Sequence, residues 1–309
     1  MTRQIASDPT PLGHPELVGF LRAEIAAQGP IPFARFMDLA LYHPAFGYYV
    51  TAPEPTCTSE ATSGSDAPPS RIGWSGDFFT NTDVHPIFAQ ALAHQLRQVD
   101  QLLGEPTPLH LIEMGPGKGF LIRDLLHHCH ATWPSLFHRL HVHLIEQSPI
   151  LTATQQHTLA AWAAIPGKLT WHASIESLPP ASVTGLVLSN ELVDAFPVHV
   201  LRVDQGKVQE VYVASVDDQF MGTLGPLSTP ALTTYLDTLA AQDIQLTDGA
   251  TLEVNLQALG WMKSVGHLLK QGLVLTIDYG HTAQDLYGPE RYKGTLLCYH
   301  QHKVSENPF

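Results

Sequence analysis

The stretch Leu109–Phe120, LHLIEMGPGKGF, decides the fold. Leu109 to Glu113 is a short apolar run that ends in an acid, and a glycine-rich turn follows. Beyond it, Phe120–His128 places Leu121 with Leu125 and Ile122 with Leu126 at i,i+4, the spacing of a helix. The alternation continues downstream. Val142–Glu146 reads as a second strand, again ending in an acid, and Leu151–Ala164 as a second helix. Leu169–His172 and Leu186–Ser189 read as the third and fourth strands, Leu256–Lys270 as a helix and Leu273–Asp278 as a fifth strand. Apolar strands alternating with helices predict a mostly parallel sheet covered on both faces, a doubly wound α/β domain.

The turn fixes the ligand class. A dinucleotide fingerprint, G-x-G-x-x-G counted from Gly115, would put its last glycine where Phe120 stands. A P-loop would follow its lysine with Ser or Thr, but Gly119 follows Lys118. Pro116 removes one of the N–H groups that a phosphate cradle needs. What remains is Glu113 with Gly115, Gly117 and Gly119 at alternate positions. The glycines admit a ligand close to the backbone, and the acid suits a cationic or hydroxyl-bearing group. S-adenosylmethionine offers both. Glu146 ends the next strand, where a ribose diol is held in this topology. The alternative is a tight structural turn beside an ordinary strand-end acid.

Ligands in open α/β sheets bind beyond the carboxyl ends of the strands, so the loop after the fourth strand faces the cofactor. It reads Ser189-Asn190-Glu191-Leu192-Val193-Asp194-Ala195-Phe196-Pro197. Asn190 is assigned to the cofactor side. Glu191 and Asp194 bring two carboxylates, which match a guanidinium in bidentate geometry and can take its proton. The competing readings are a turn cap for Asp194 and a solvated loop acid for Glu191.

Around this core, residues 15–42 read as two helices separated at Gly29-Pro30 and Pro32. Residues 51–70, with Pro, Ser or Thr at 12 of 20 positions, read as a flexible insert. Between the fourth and fifth strands, VHVLRVDQGKVQEVYVAS reads as two strands around a tight turn at Gly206, followed by a helix near Ala231–Ala241. The domain plan is therefore a helical extension over 1–50, the insert over 51–70, a binding core over 71–200, an inserted hairpin and helix over 201–255, and a return to the core over 256–309.

The chain of 309 residues carries a formal net charge of -13 and 44% hydrophobic residues, a globular composition that argues against a nucleic-acid partner. Its three cysteines form neither a disulfide framework nor a CxxC site. The N-terminal residues lack an apolar targeting run, so the reading is a cytoplasmic protein without membrane insertion, or a mitochondrial matrix one if eukaryotic. The cluster His127-His128-Cys129-His130 reads as a solvated helix end rather than a metal site, and His141 and His143 as sharing one strand face.

Several blocks in order resemble the MidA-type methyltransferases, the family that includes the mitochondrial complex I assembly arginine methyltransferase. They are IPFARFMDLALYHPAFGYY over Ile31–Tyr49, SGDFFT over Ser75–Thr80, His85-Pro86-Ile87-Phe88, EMGPGKG over Glu113–Gly119, NELVDAFP over Asn190–Pro197, IDYG over Ile277–Gly280, and GTLLCYHQHKVSENP over Gly294–Pro308. The resemblance implies a class I S-adenosylmethionine fold. It also implies N-methylation of a protein arginine, with a respiratory complex I subunit as substrate in the mitochondrial member. It implies cofactor roles for Glu113, Gly115, Gly117 and Gly119, and for Gly76, Asp77 and Thr80 of the SGDFFT block. It implies acceptor-side roles for Glu191 and Asp194, and closure of the site by Asp278 and Tyr279. The family pattern continues past the block that ends at Phe309, so the final strands of the sheet are expected to be missing, as in a fragment or a degenerate member. The other functions that fit are methylation of a small molecule or another protein nitrogen, and a non-catalytic assembly protein that retains the fold.

Overall fold

The computed structural model describes residues 13–51, 81–300 and 303–309. Two helices come first, α1 (Pro15–Gln28) and α2 (Phe33–Tyr42), with the two-residue strand β1 (Ile31–Pro32) between them. Helix α3 (Ile87–Leu102) leads into the parallel unit. There β2 (Leu109–Met114), α4 (Phe120–Thr132), β3 (Leu140–Ile145), α5 (Pro149–Thr158), β4 (Leu169–His172) and β5 (Val183–Asn190) follow in turn. Next come β6 (His199–Asp204), β7 (Lys207–Val216), β8 (Gln219–Gly225), α6 (Pro230–Ala241) and β9 (Thr251–Val254). Helix α7 (Leu256–Leu268), β10 (Leu269–Ile277), β11 (Cys298–His300) and β12 (Lys303–Ser305) complete the order.

The five expected parallel strands form one sheet, ordered β10-β5-β2-β3-β4, with every pair parallel. The order reverses at β2, so the crevice at the carboxyl end of β2 and β5 is the topological switch point. Alternate residues of β2 and β3 face opposite ways. Leu109, Leu111, Leu140, Val142 and Leu144 pack against α3 and α4, while Ile112, Met114 and Ile145 pack toward Trp261, Val265 and Leu268 of α7. Helix α3 is an element that the alternation of strands and helices does not announce. Its Ala89, Leu92, Ala93, Leu96 and Val99 recur at helical spacing and are buried.

The segment between β5 and β10 is more than the expected hairpin and helix. Strands β6 and β7 pair antiparallel around Gly206 as anticipated, but β1, β8 and β9 join them in a second, five-stranded antiparallel sheet. Its core takes the N-terminal helices: Leu17, Leu21 and Ile25 of α1 and Phe33, Phe36 and Leu39 of α2 pack with Val198, Val200 and Val213. The helical extension is thus built onto the second sheet, not onto the parallel one. Among the described residues β10 is an edge of the parallel sheet, and its Leu273 is 47% exposed.

On the α7-facing side of the parallel sheet, imidazoles form a row. His143 Nε2 lies 3.0 Å from His110 Nδ1, and its Nδ1 lies 3.1 Å from His172 Nε2. His172 Nδ1 is 3.0 Å from Ser177 Oγ, whose own proton goes to the Ser174 carbonyl at 2.8 Å. Ser177 therefore accepts from His172 Nδ1–H, and with the rings neutral the same sense runs along the row, each Nδ1–H donating to the next Nε2. His141 stands beside this row, edge-on to His110, so His141 and His143 do share a face. Burial, then the neighbouring His110, His172 and His141, pushes His143 down to about 4. A histidine lowered in the fold stabilises it above its unfolded value near 6.5 and loses that contribution as pH falls toward the folded value. Stability should therefore drop by about 2 kcal/mol from this group between pH 7 and pH 4, after allowance for solvent on the open face. Urea midpoints at the two pH values would show it, and His143→Gln should flatten the difference. Around the end of α4, His127 and His130 are exposed as expected, but Cys129 is fully buried and His128 packs edge-on against Trp133. Among the described residues no group of three or more His, Cys, Asp or Glu is placed to hold a metal ion, and no helix is long and apolar enough to cross a membrane.

Candidate functional site

The carboxyl ends of β2, β3, β4 and β5 open into a cavity of about 550 Å³. The glycine turn forms its floor. Gly115, Gly117 and Gly119 all sit at positive φ, 65°, 53° and 81°. A Cβ on Gly115 would stand 2.8 Å from Leu192 Cδ1, so that methyl would have to move, and the positive φ there favours glycine in any case. Gly119 is off the cavity wall; it starts α4, packed against Leu159 and Gln155.

Glu113 is 2% exposed and its Oε2 has no hydrogen-bond partner in the protein. Burial, with Glu146 nearby, pushes its carboxyl up to about 8. Glu146 is held in place: its Oε1 accepts the Ser148 N–H at 2.8 Å and its Oε2 accepts Gln155 Nε2 at 3.0 Å. Burial raises Glu146 as well, partly offset by these bonds. Gln155 is a residue that sequence reasoning missed. Fully buried on α5, it also donates to the Gly117 carbonyl at 2.8 Å and accepts Trp171 Nε1 at 3.1 Å. It ties the second acid to the glycine turn. Gln155→Leu would remove the partner of three part-buried polar groups, so a loss of about 1–3 kcal/mol in stability is expected, together with at least tenfold weaker cofactor binding, both readable by thermal shift and calorimetry.

The far wall comes from α2, α7 and the loop after β5. Tyr42 Oη donates to the Ala195 carbonyl at 2.9 Å and stacks on Tyr49, and burial raises both phenols far above their usual range. Trp261, on α7, donates from Nε1 to Met114 Sδ at 2.9 Å. Neither Tyr42 nor Trp261 stands out in the sequence, because each reaches the cavity from an element distant along the chain.

Asn190 and Glu191 line the cavity, and Asn190 Oδ1 is buried without a partner in the protein. Glu191 sits at φ 49°, its carboxyl raised first by burial and then by Asp194, and it accepts hydrogen bonds from Asn190 and the Asn81 backbone. Asp194 is not on the wall; it is exposed at the rim, where the packing around its carboxyl group and then Asp278 raise it to about 6. Gly76, Asp77 and Thr80 lie outside the described residues.

The cavity is lined by Glu113 and Glu146 at the ends of β2 and β3 and by Glu191 in the loop after β5, carboxyl groups that a cationic ligand would meet. Residues 91–309 match the model of the family described as S-adenosyl-L-methionine-dependent methyltransferase. The chain belongs to this family. It is 30% identical over 329 aligned positions to the Drosophila melanogaster "Protein arginine methyltransferase NDUFAF7 homolog, mitochondrial", covering 97% of this chain and 67% of that one. The human "Protein arginine methyltransferase NDUFAF7, mitochondrial" is 26% identical, with 84% of this chain and 58% of the relative covered. The chain thus spans about two thirds or less of the length of these curated relatives. A crystal structure of a Burkholderia thailandensis protein bound to S-adenosyl-homocysteine superposes with a TM-score of 0.78 at 27% identity, over 97% of this chain and 73% of that one.

The residues present fit the family's cofactor, S-adenosylmethionine. A buried carboxyl and a buried amide oxygen without protein partners face a glycine turn that admits close approach, and a second, anchored acid lies alongside. When bound, this cofactor supplies a methyl group made electrophilic by a sulfonium.

Proposed function

We propose that the protein methylates the guanidinium of an arginine presented by a protein, with S-adenosylmethionine held over the glycine turn and the acceptor held by the acidic loop. The observation that carries this reading is that one cavity is lined by carboxyl groups from two places, the ends of β2 and β3 and the loop after β5. Glu113, Glu146 and Asn190 would hold the cofactor's cationic and hydroxyl groups, and Gly115 and Gly117 let it lie against the backbone. Gly119 supports them by starting α4. Glu191, on the wall, would hold the guanidinium and take the proton shed when a nitrogen gains its methyl group; its raised pKa makes it a better base near neutral pH. Asp194 would assist from the rim. Tyr42 and Tyr49 would shield the reacting atoms from water, since they roof the same cavity.

The names of the curated relatives support a protein arginine as acceptor, and a subunit of respiratory complex I is the finer form of the proposal. The test uses peptides with a single arginine and the same peptides with lysine in its place. Methyl transfer to the arginine peptides alone supports the reading. Equal transfer to both, or transfer only to lysine, contradicts it.

A further inference from the structure

Asp278 follows β10 and is not on the cavity wall. Both its oxygens are engaged. Oδ2 accepts the Val193 N–H at 2.7 Å and the Leu192 N–H at 3.2 Å, and Oδ1 accepts the Tyr279 N–H at 2.9 Å. Just before these, the Glu191 N–H donates to the Ile277 carbonyl at 2.8 Å, the last link between the end of β5 and β10. From the opposite side, Asn255 Nδ2 donates to the Val193 carbonyl at 3.0 Å, while its Oδ1 caps α7 at the Ala258 N–H. The chain between these anchors makes an abrupt turn, with Glu191 at φ 49°. A left-handed conformation costs a non-glycine residue about 1–2 kcal/mol and persists only where the surroundings over-determine it. Here the strand end, Asp278 and Asn255 supply that constraint, and Leu192 is seated on Gly115.

We propose that Asp278 is a positioning residue: through the Leu192 and Val193 N–H groups it holds the acidic loop in the turn that aims Glu191 into the cavity. A neutral residue there would serve less well, because a carboxylate offers two acceptor oxygens to three N–H groups. The charge has a second consequence. Asp194 is faced by Asp278 and Tyr279 from the end of β10, by Tyr42 and Tyr49 from the N-terminal helical segment, and by Glu191 from its own loop. Asp278 thus keeps Asp194 closer to neutral pH than an isolated aspartate. The value of the loop to catalysis rests on the acceptor reading above; the positioning does not.

The experiment compares the wild-type chain with Asp278→Asn by amide exchange and carboxyl NMR titration without an acceptor, and by methyl-transfer kinetics with an arginine peptide. Exchange at Leu192 and Val193 should accelerate by at least about tenfold, the scale of a charge-assisted hydrogen bond. Asp194 should titrate at lower pH, since the adjacent negative charge is gone. S-adenosylhomocysteine affinity should stay within about threefold, while kcat for methyl transfer falls by at least about tenfold with little change in acceptor KM. Unchanged exchange and an unchanged Asp194 titration in the folded variant would overturn the proposal. Should Asp278→Asn not fold, Asp278→Glu keeps the charge and moves the acceptor oxygens one methylene away from the Leu192 and Val193 N–H groups. Faster exchange at Leu192 and Val193 there supports an anchored loop, and native protection counts against it. If the wild-type chain itself transfers no methyl to arginine, the acceptor reading fails, and exchange and titration still decide the role of Asp278.

Discussion

Glu113→Gln should weaken binding of S-adenosylmethionine by at least about a hundredfold while leaving the fold intact. The substitution keeps the shape, removes the charge that a cationic ligand would meet, and turns one acceptor oxygen into a donor. A buried charge–charge pair of this kind is worth about 3 kcal/mol or more once one partner is gone. The environment of Glu113 makes the claim sharper. Burial and Glu146 push its carboxyl up to about 8, so at pH 7 the group is mostly protonated before the ligand arrives. A cation stabilises the ionised form, so binding should release a proton. Affinity should then rise with pH through the neutral range and level off above about 8. Calorimetry in two buffers of different ionisation enthalpy reads the released proton directly. Identical heats in both buffers would mean that Glu113 is already ionised or is not engaged.

Glu191→Gln is expected to do the opposite: cofactor affinity within about threefold of wild type, and methyl transfer reduced by about 10²–10³-fold, the range for loss of a general base. Its neighbour Asp194, raised to about 6, adds a pH signature. A carboxylate that must be ionised to hold a guanidinium loses that ability as pH falls through its pKa. Activity in the wild type should therefore decline below about pH 6, and Asp194→Asn should remove that limb while lowering the plateau. Equal loss of cofactor binding and turnover in Glu191→Gln would place this residue with the cofactor instead.

The strand-end chemistry is legible in the sequence alone. Glu113, the three glycines and Glu146 sit at ends of short apolar runs, where the chain itself states its neighbours, and the expected strands form the parallel sheet around them. The acidic loop is legible as a set of carboxylates but not as a geometry. That Glu191 reaches the wall while Asp194 stands at the rim depends on a left-handed turn held by Asp278, 87 positions beyond Glu191 in the sequence. Gln155 gives no signal, because a glutamine on a helix is ordinarily solvated and only the fold buries it against Glu146 and Trp171. The second sheet is half legible. The β6–β7 hairpin follows from Gly206 and alternation, whereas β8 is exposed on both faces along most of its length, and β9 is only four residues long. Neither carries a periodicity long enough to read.

Methyl transfer onto arginine in this cavity, as proposed above, has a direct readout. The direct measurement incubates the purified protein and methyl-labelled S-adenosylmethionine with a cell lysate, then hydrolyses the protein fraction in acid and separates the amino acids. Label is expected in methylated arginine, strongly reduced by Glu113→Gln and by Glu191→Gln alike. Label in methylated lysine or histidine, or only in small molecules, while the protein binds S-adenosylhomocysteine normally, would contradict it.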